Sequence, residues 1–218
     1  TNTTVSERIF GAAWPSNMSK PLAELMHSNI KEVGSPEWTE QDQQLALAVQ
    51  EMMGQENPQG LPTEISDEVS EANQGMGGGS DDIAEVSWNL PTVRLRYPGN
   101  IPGVTGHHWS SSIAMATPIA HKGANYGSRV IAMTAIALMN EPELVEEAWT
   151  YFNDVTVAER QWASLIPEGT PPPIHLNAEK MERFRPMLEP LRYDPSRYAT
   201  YLEQLGIEYP TIKRDQER

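Results

Sequence analysis

The segment Met76–Gly123 restricts the possible folds of this chain more than any other, because it separates two helix-forming regions with turns, extended stretches and clustered polar groups. It holds three of the five histidines, and a glycine run within it leads into Asp81 and Asp82. In α/β proteins, loops at strand ends bring imidazole and carboxylate groups together into metal or acid–base sites. We therefore expect the chemistry of the chain to lie in this segment and the surrounding helices to support it.

Two amphipathic helices are predicted before this segment. Between Ser19 and Gly34, apolar side chains recur at helical spacing, with the serine as a candidate N-cap and the glycine as a stop. The same pattern follows Thr39 and ends at Gly54. Residues 55–80 show no sustained period, which predicts a long surface loop.

Short extended segments predict an α/β architecture. Residues 83–90 and 91–98 carry Val, Trp, Leu and Tyr near prolines, a composition typical of strands. Residues 110–120 are a candidate third extended segment, and residues 5–10 are a candidate strand that needs a pairing partner. After Gly123 the pattern is helical again, and its density of alanine predicts close packing against a sheet.

The charge balance excludes several classes of function. Lys and Arg total 16 against 30 Asp and Glu, a formal net charge of −14, and no basic stripe occurs outside the short C-terminal tail. We therefore expect neither nucleic acid nor an anionic membrane as a partner. The longest apolar runs are too short to cross a bilayer, and the N-terminus lacks the pattern of a signal peptide. These features predict a soluble protein and slightly favour the cytoplasm.

The absence of cysteine limits the chemistry further. It excludes disulfides, thiol nucleophiles and cysteine-ligated zinc, and it leaves His, Asp and Glu as the strong metal ligands. The chain does not begin with Met, which we interpret as a sign of processing or of a fragment. Thr1 raises the alternative of an N-terminal nucleophile, although the run of strands expected of such hydrolases does not follow it.

Each candidate site residue also has an ordinary structural explanation. His107 and His108 in the loop GHHW have the tight turns that a fixed metal ligand needs, yet most loop histidines are plain polar residues. The run GGGSDD could hold an anion on its backbone N–H groups, and Asp82 could orient a metal ligand, although a flexible loop and turn capping explain both. His121 and Lys122 would place cationic groups where a carboxylate could dock, and solvation explains them equally well.

Three motifs, taken in order, resemble one enzyme family. SDDIAEVSWNLPT, GVTGHHW and IAHKGANYGSRVIA follow one another as in the C-terminal catalytic part of the metal-dependent amidohydrolases related to p-aminobenzoyl-glutamate hydrolase, aminoacylases and glutamate carboxypeptidase. The resemblance extends from about Ala12 to Leu165. The matching positions are Asp82, Glu85, Val86, Ser87 and Trp88, then Gly106, His107 and Trp109, then Ala120, His121, Lys122 and Gly123.

The resemblance implies the C-terminal half of a three-layer α/β catalytic domain that is incomplete without an N-terminal half. Residues 1–13 would include the last strand of a lid domain, and residues 14–218 would form the C-terminal part of the catalytic domain. In this family, two divalent metal ions, zinc or manganese, activate a water molecule that attacks an amide carbonyl. The implied cofactors are therefore two such ions.

The resemblance also implies roles for the candidate residues. His107 corresponds to a metal ligand, because it follows Gly106 in the family's loop motif. Asp82 corresponds to an acid close to the site that would orient a ligand, and His108 stands where the family has a serine. For His121 and Lys122 we expect a supporting role or the binding of a substrate carboxylate.

A partner is implied as well. The family's early His-x-Asp pair and the Glu-Glu pair that carries the general base have no match in this sequence. We therefore predict that the chain is inactive alone and that the N-terminal half of the same enzyme, or a second subunit, completes the site in an oligomer. The implied substrate is a small N-acyl amino acid or dipeptide, such as an aminobenzoyl-glutamate-like compound. The alternative is a non-catalytic subunit or binding module that keeps the fold without the metals.

Overall fold

The computed structural model describes residues 2–7, 9, 11–69 and 81–212, and the regular secondary structure of these residues is helical. The α-helices within these ranges are α1 (Lys20–Val33), α2 (Glu40–Met52), α3 (Asp82–Ser87), α4 (Pro118–Asn140), α5 (Pro142–Tyr151), α6 (Ala178–Leu188) and α7 (Tyr201–Gln204). Shorter helical turns are the 3₁₀ helices Trp109–Ala116, Ile174–Asn177 and Glu189–Leu191 and the π-helical turn Phe152–Thr156. None of the described helices is both long enough and apolar enough to cross a membrane.

The chain divides into two compact units, each built from three separate parts of the sequence. The first unit contains the described residues of Thr1–Ala23, Ser70–Arg94 and Glu143–Arg192. The second unit contains the described residues of Glu24–Val69, Leu95–Pro142 and Tyr193–Arg218. Of the candidate site residues, Asp82 belongs to the first unit, whereas the candidate histidines and Lys122 belong to the second.

The prediction of an α/β fold, as one half of a three-layer domain, is wrong, because the described residues contain no β-strand. Residues 83–87 are helical since the side chain of Asp81 accepts a hydrogen bond from the N–H of Ala84 at 3.2 Å and so begins α3. The predicted third extended segment is largely a 3₁₀ helix, Trp109–Ala116. Local capping thus outweighs the strand-like composition at both places.

The other predicted strands also fail within the described residues. Residues 91–97 have no regular secondary structure, and the carbonyl of Thr92 accepts a hydrogen bond from the N–H of Ser19 at 2.8 Å rather than from a neighbouring strand. Pro91 cannot donate to a β-ladder. Of the segment 5–10, only residues 5–7 and 9 are described, and they form no strand.

Both predicted N-terminal helices are confirmed. α1 begins directly after Ser19 and ends before Gly34, which has a φ of +80°. The hydroxyl of Ser19 is buried and has no hydrogen-bond partner among the described residues, so it does not cap the helix. α2 begins with a capping box, in which Thr39 Oγ1 accepts from the N–H of Asp42 and Asp42 Oδ2 accepts from the N–H of Thr39 at 2.8 Å.

The core of the second unit joins α2 to the segments around the start of α4. Its buried apolar members are Leu45, Ala46, Val49, Leu61, Ile101, Ala114 and Ile119. Trp38 and Tyr209 are partly buried against the same cluster. Full burial of a side chain of this size stabilises the fold by roughly 1.5–3 kcal/mol. This core therefore fixes the start of α4, which carries His121 and Lys122.

Gln50 fastens the loop that follows α2. Its buried Oε1 accepts from the N–H groups of Gln59 at 3.0 Å and Gly60 at 2.8 Å, and its Nε2 donates to the carbonyls of Gly60 at 3.2 Å and Pro102 at 3.0 Å. The side chain thus uses two acceptor and two donor positions, the full capacity of an amide. The predicted loop is confirmed for residues 55–69, which contain neither helix nor strand.

Replacement of Gln50 with leucine should lower the free energy of unfolding by roughly 2–4 kcal/mol, because the change leaves the buried N–H and carbonyl of Gly60 without partners. Urea unfolding of the full chain measures this loss. Gln44→Leu is the matched control, since Gln44 is exposed and its side chain donates only to Glu40 on the helix surface. Equal stability of the two variants would show that the Gln50 bonds do not hold the loop.

Candidate functional site

His107 lies in the loop before the 3₁₀ helix Trp109–Ala116. Its φ is +56°, a left-handed conformation that costs a residue with a Cβ atom roughly 1 kcal/mol or more. The imidazole is exposed and forms no hydrogen bond or ion pair within the part of the chain that the structure describes. Such a strained backbone with a free, solvent-facing ring is a reason to look for a ligand of that ring.

His108, by contrast, is bonded to its own loop. Its Nδ1 accepts from the N–H of Ser110 at 3.3 Å and lies 2.9 Å from the hydroxyl oxygen of the same serine. A ring nitrogen that accepts from a backbone N–H leaves the proton of a neutral imidazole on Nε2. The ring also contacts the indole of Trp109, with 5.1 Å between centroids. His108 therefore caps the 3₁₀ helix, and the two neighbouring histidines have different surroundings.

The two adjacent aspartates begin α3 in the first unit. Asp81 caps the helix and forms an ion pair with Arg94 at 3.1 Å. Asp82 is exposed in the first turn, where a carboxylate interacts favourably with the helix dipole. The glycine run considered as an anion-binding loop, and Thr1, considered as an alternative nucleophile, lie outside the described residues.

Glu85 connects α3 to the N-terminal segment of the first unit. Its Oε1 accepts from the N–H of Trp14 at 3.1 Å, and its Oε2 accepts from the indole N–H of Trp162. The indole of Trp14 in turn donates to the carbonyl of Ala163 at 3.0 Å. One carboxylate therefore joins three separate parts of the chain, which is a structural role.

Ser87 and Trp88 bind the same N-terminal segment. The completely buried hydroxyl of Ser87 accepts from the N–H of Asn17 at 2.9 Å and donates to the carbonyl of Ala84 at 2.6 Å. The indole of Trp88 donates to the carbonyl of Pro15 at 2.7 Å. Glu85, Ser87 and Trp88, which match the first motif, thus stabilise the fold of the first unit.

In the third motif, Lys122 and Gly123 also have structural contacts. The Nζ of Lys122 donates to Oδ2 of Asp42 at 2.6 Å and to the carbonyl of Glu37 at 2.9 Å. A Cβ atom at position 123 would lie 2.5 Å from the carbonyl oxygen of Pro98, so α4 can pass this backbone only with glycine there.

Asp42 is completely buried, and its carboxylate receives hydrogen bonds from Lys122, from the hydroxyl of Tyr209 at 2.7 Å and from Thr39. Burial raises the pKa of Asp42, but these hydrogen bonds outweigh burial and hold its pKa below the ordinary value of 3.8. Burial and the bond to Asp42 together raise the pKa of Tyr209. The carboxylate therefore stays ionised at neutral pH.

A pocket of about 860 Å³ lies beside the first turns of α4, and we call it the α4 pocket. His121, Lys122, Asn125 and Arg129 line it together with residues before α2. Sequence reasoning named the first two and missed Asn125 and Arg129, although His121, Asn125 and Arg129 follow one another at intervals of four residues, which was a usable signal. Within the described residues, no group of three His, Asp or Glu side chains could hold a metal ion.

Ser87→Ala should lower the free energy of unfolding by about 1–2 kcal/mol, because the partly buried N–H of Asn17 loses its acceptor. Val86→Ala is the neighbouring control, since Val86 is 46% exposed and its truncation should change stability by about 0.5 kcal/mol or less. Denaturant unfolding compares the two. A loss no larger than that of the control would contradict the structural role of the serine.

Asp42→Asn should destabilise the chain by about 2 kcal/mol at neutral pH, because the charge of Lys122 loses its partner. The folded pKa of Asp42 is lowered, so its stabilising contribution is present above the ordinary value of 3.8 and is lost as pH falls through the folded value. The difference in unfolding free energy between wild type and variant should therefore shrink below about pH 4.

Urea titrations at several pH values measure this difference. Asp67→Asn serves as the control, since Asp67 pairs with Lys31 on the exposed surface. A difference that stays constant down to the lowest pH would mean that the Asp42 carboxylate is not stabilised by its neighbours.

The chain has a distant relative among known proteins. The chain is 24% identical to a subunit of the p-aminobenzoyl-glutamate hydrolase of Escherichia coli strain K12 over 196 residues, an alignment that covers 80% of the chain and 41% of the relative. The chain thus spans about two fifths of the length of this relative. No protein-family model matches the chain, and no solved structure matches it significantly. The similarity supports a relationship of this chain to the amidohydrolases.

Proposed function

We propose that this chain is part of an amide hydrolase that acts on a small N-acyl amino acid or dipeptide, with an aminobenzoyl-glutamate-like compound as the first candidate. The similarity to a subunit of p-aminobenzoyl-glutamate hydrolase supports hydrolysis of an amide. The structural observation that carries the proposal is His107, whose exposed imidazole lies at a strained loop position and has no partner among the described residues. The resemblance of its loop motif to the amidohydrolases implies that this histidine is a metal ligand.

Two divalent metal ions, zinc or manganese, are the proposed cofactors, and His107 is the proposed ligand to one of them. A neutral imidazole suits zinc well and is also found around other divalent ions. The described residues alone do not fit such a centre, because no three ligand side chains converge among them. The remaining ligands must therefore come from protein outside the described residues, and we derive no reaction step from the metals. Asp82 stays a proposed orienting acid.

The proposed partner is the polypeptide that carries those remaining ligands, either the N-terminal half of the same enzyme or a second subunit. The relative is named as a subunit, which supports an assembly of more than one chain. α4 offers a surface for such a partner: its buried face includes Val130 and Thr134, whereas Ile131, Ile136 and Met139 are more than half exposed. No charged residue follows Arg129 in this helix, although a solvent-facing helix surface normally carries charges.

A second candidate function is a non-catalytic subunit or binding module. The lack of a three-ligand cluster in the described parts of the chain is the observation that favours it. The two candidates differ in one measurable respect, which is whether His107 contacts a metal ion in the complete assembly.

Purification of the assembly from its native cells, followed by elemental analysis and an assay with p-aminobenzoyl-glutamate, tests the hydrolase. We expect stoichiometric zinc or manganese in the assembly and release of glutamate from the substrate. His107→Ala should lower metal affinity by more than the roughly tenfold to hundredfold known for groups that only orient a ligand. Hydrolysis should fall with metal content.

His175→Ala is the matched control, because His175 is an exposed histidine of the first unit. It should keep the metal content and the activity of the wild type. An assembly that contains no metal would favour the binding module, and an active, fully metallated His107→Ala assembly would remove His107 from the proposed site.

A further inference from the structure

The α4 pocket has an aromatic wall. The indole of Trp38 is partly buried, and its N–H donates to the carbonyl of Pro62 at 2.8 Å, which fixes the ring in place. Tyr126, which also lines the pocket, is 7% exposed. A volume of about 860 Å³ lies within the range of small-molecule sites. Size and aromatic lining together suit a ligand that contains a ring.

Another part of the pocket is lined by polar side chains that have no partner among the described residues. His121, Asn125 and Arg129 stand four residues apart on α4 and therefore share one face of the helix. None of these three side chains forms a hydrogen bond or ion pair within the described residues. Three sets of donors thus remain available beside the aromatic wall.

The charge of the pocket depends on Arg129. Lys122 also lines the pocket, but the buried carboxylate of Asp42 balances its charge at 2.6 Å. Glu37 is an exposed acid at the same pocket, and its negative charge opposes the binding of an anion. Arg129 lies three turns beyond the start of α4, so its attraction for an anion does not rely on the helix N-terminus.

We infer that the α4 pocket binds a small aromatic carboxylate, with Arg129 and Asn125 holding the carboxylate and Trp38 contacting the ring. The planar guanidinium of arginine matches a carboxylate through two parallel hydrogen bonds, and an amide N–H can supply a third. This choice of ligand rests on the proposed function, because hydrolysis of an aromatic N-acyl amino acid starts from a carboxylate and releases an aromatic one. The pocket itself is independent of any metal ion.

Isothermal titration calorimetry of the full chain with N-benzoyl-glutamate tests the inference. The dimethyl ester of the same compound should bind more weakly, because it carries no charge. Arg129→Gln should weaken the binding of the acid about tenfold, since it removes a charge-assisted pair. Glu37→Gln should bind the acid as tightly as wild type or more tightly. The indole N–H resonance of Trp38 should shift on binding.

Arg160→Gln is the control for a general loss of positive charge, because Arg160 is exposed and does not line the α4 pocket. Unchanged affinity in Arg129→Gln, or no binding of N-benzoyl-glutamate by the wild type, would overturn the inference. Equally tight binding of inorganic phosphate would overturn the choice of an aromatic carboxylate.

The result does not depend on the proposed hydrolysis, since it measures binding alone. Binding that requires Arg129, in a chain whose assembly contains no metal and cleaves no amide, would support the pocket and refute the hydrolase. Hydrolysis by an assembly whose Arg129→Gln variant binds N-benzoyl-glutamate normally would refute the pocket alone.

Discussion

Asp42 carries a negative charge at a position that solvent does not reach. Moving a carboxylate out of water costs several kcal/mol unless other donors replace the water, and here those donors are Lys122, Tyr209 and Thr39. They belong to the start of α4, to the C-terminal segment and to the N-cap of α2, so one carboxylate joins three distant parts of the sequence. The α4 pocket depends on this interaction, because Thr39 and Lys122 line it too.

One short motif can contain residues with different roles, as the neighbours His121, Lys122 and Gly123 show. The lysine is bound to Asp42 and the glycine allows a close backbone approach, whereas the histidine is exposed without a partner among the described residues. Residue type and spacing predicted that this motif matters, but they could not separate these tasks, because each contact joins residues far apart in sequence. The sequence did not predict Arg129 as a site residue for the same reason, because residues before α2 complete its pocket.

The sequence predicts the ends of α1 and α2 well because helix caps are local: Thr39 and Asp42 are three residues apart, and Gly34 needs only its own backbone freedom. The prediction of strands from the sequence fails because a β-strand needs a neighbouring strand to pair with. Within the described residues no strand is available to pair with 91–97. A composition that suits a pleated surface then yields irregular chain or a short helix, as after Asp81.

The uncharged part of α4 after Arg129 affects how a newly synthesised chain behaves. Ile131, Ile136 and Met139 are exposed on a helix of 23 residues, and apolar surface of this kind adheres to whatever apolar surface it meets first. Until the proposed partner covers this surface, a second copy of the chain or a chaperone can bind it instead. The amount of this chain relative to the proposed partner would then set how much of this apolar surface stays uncovered.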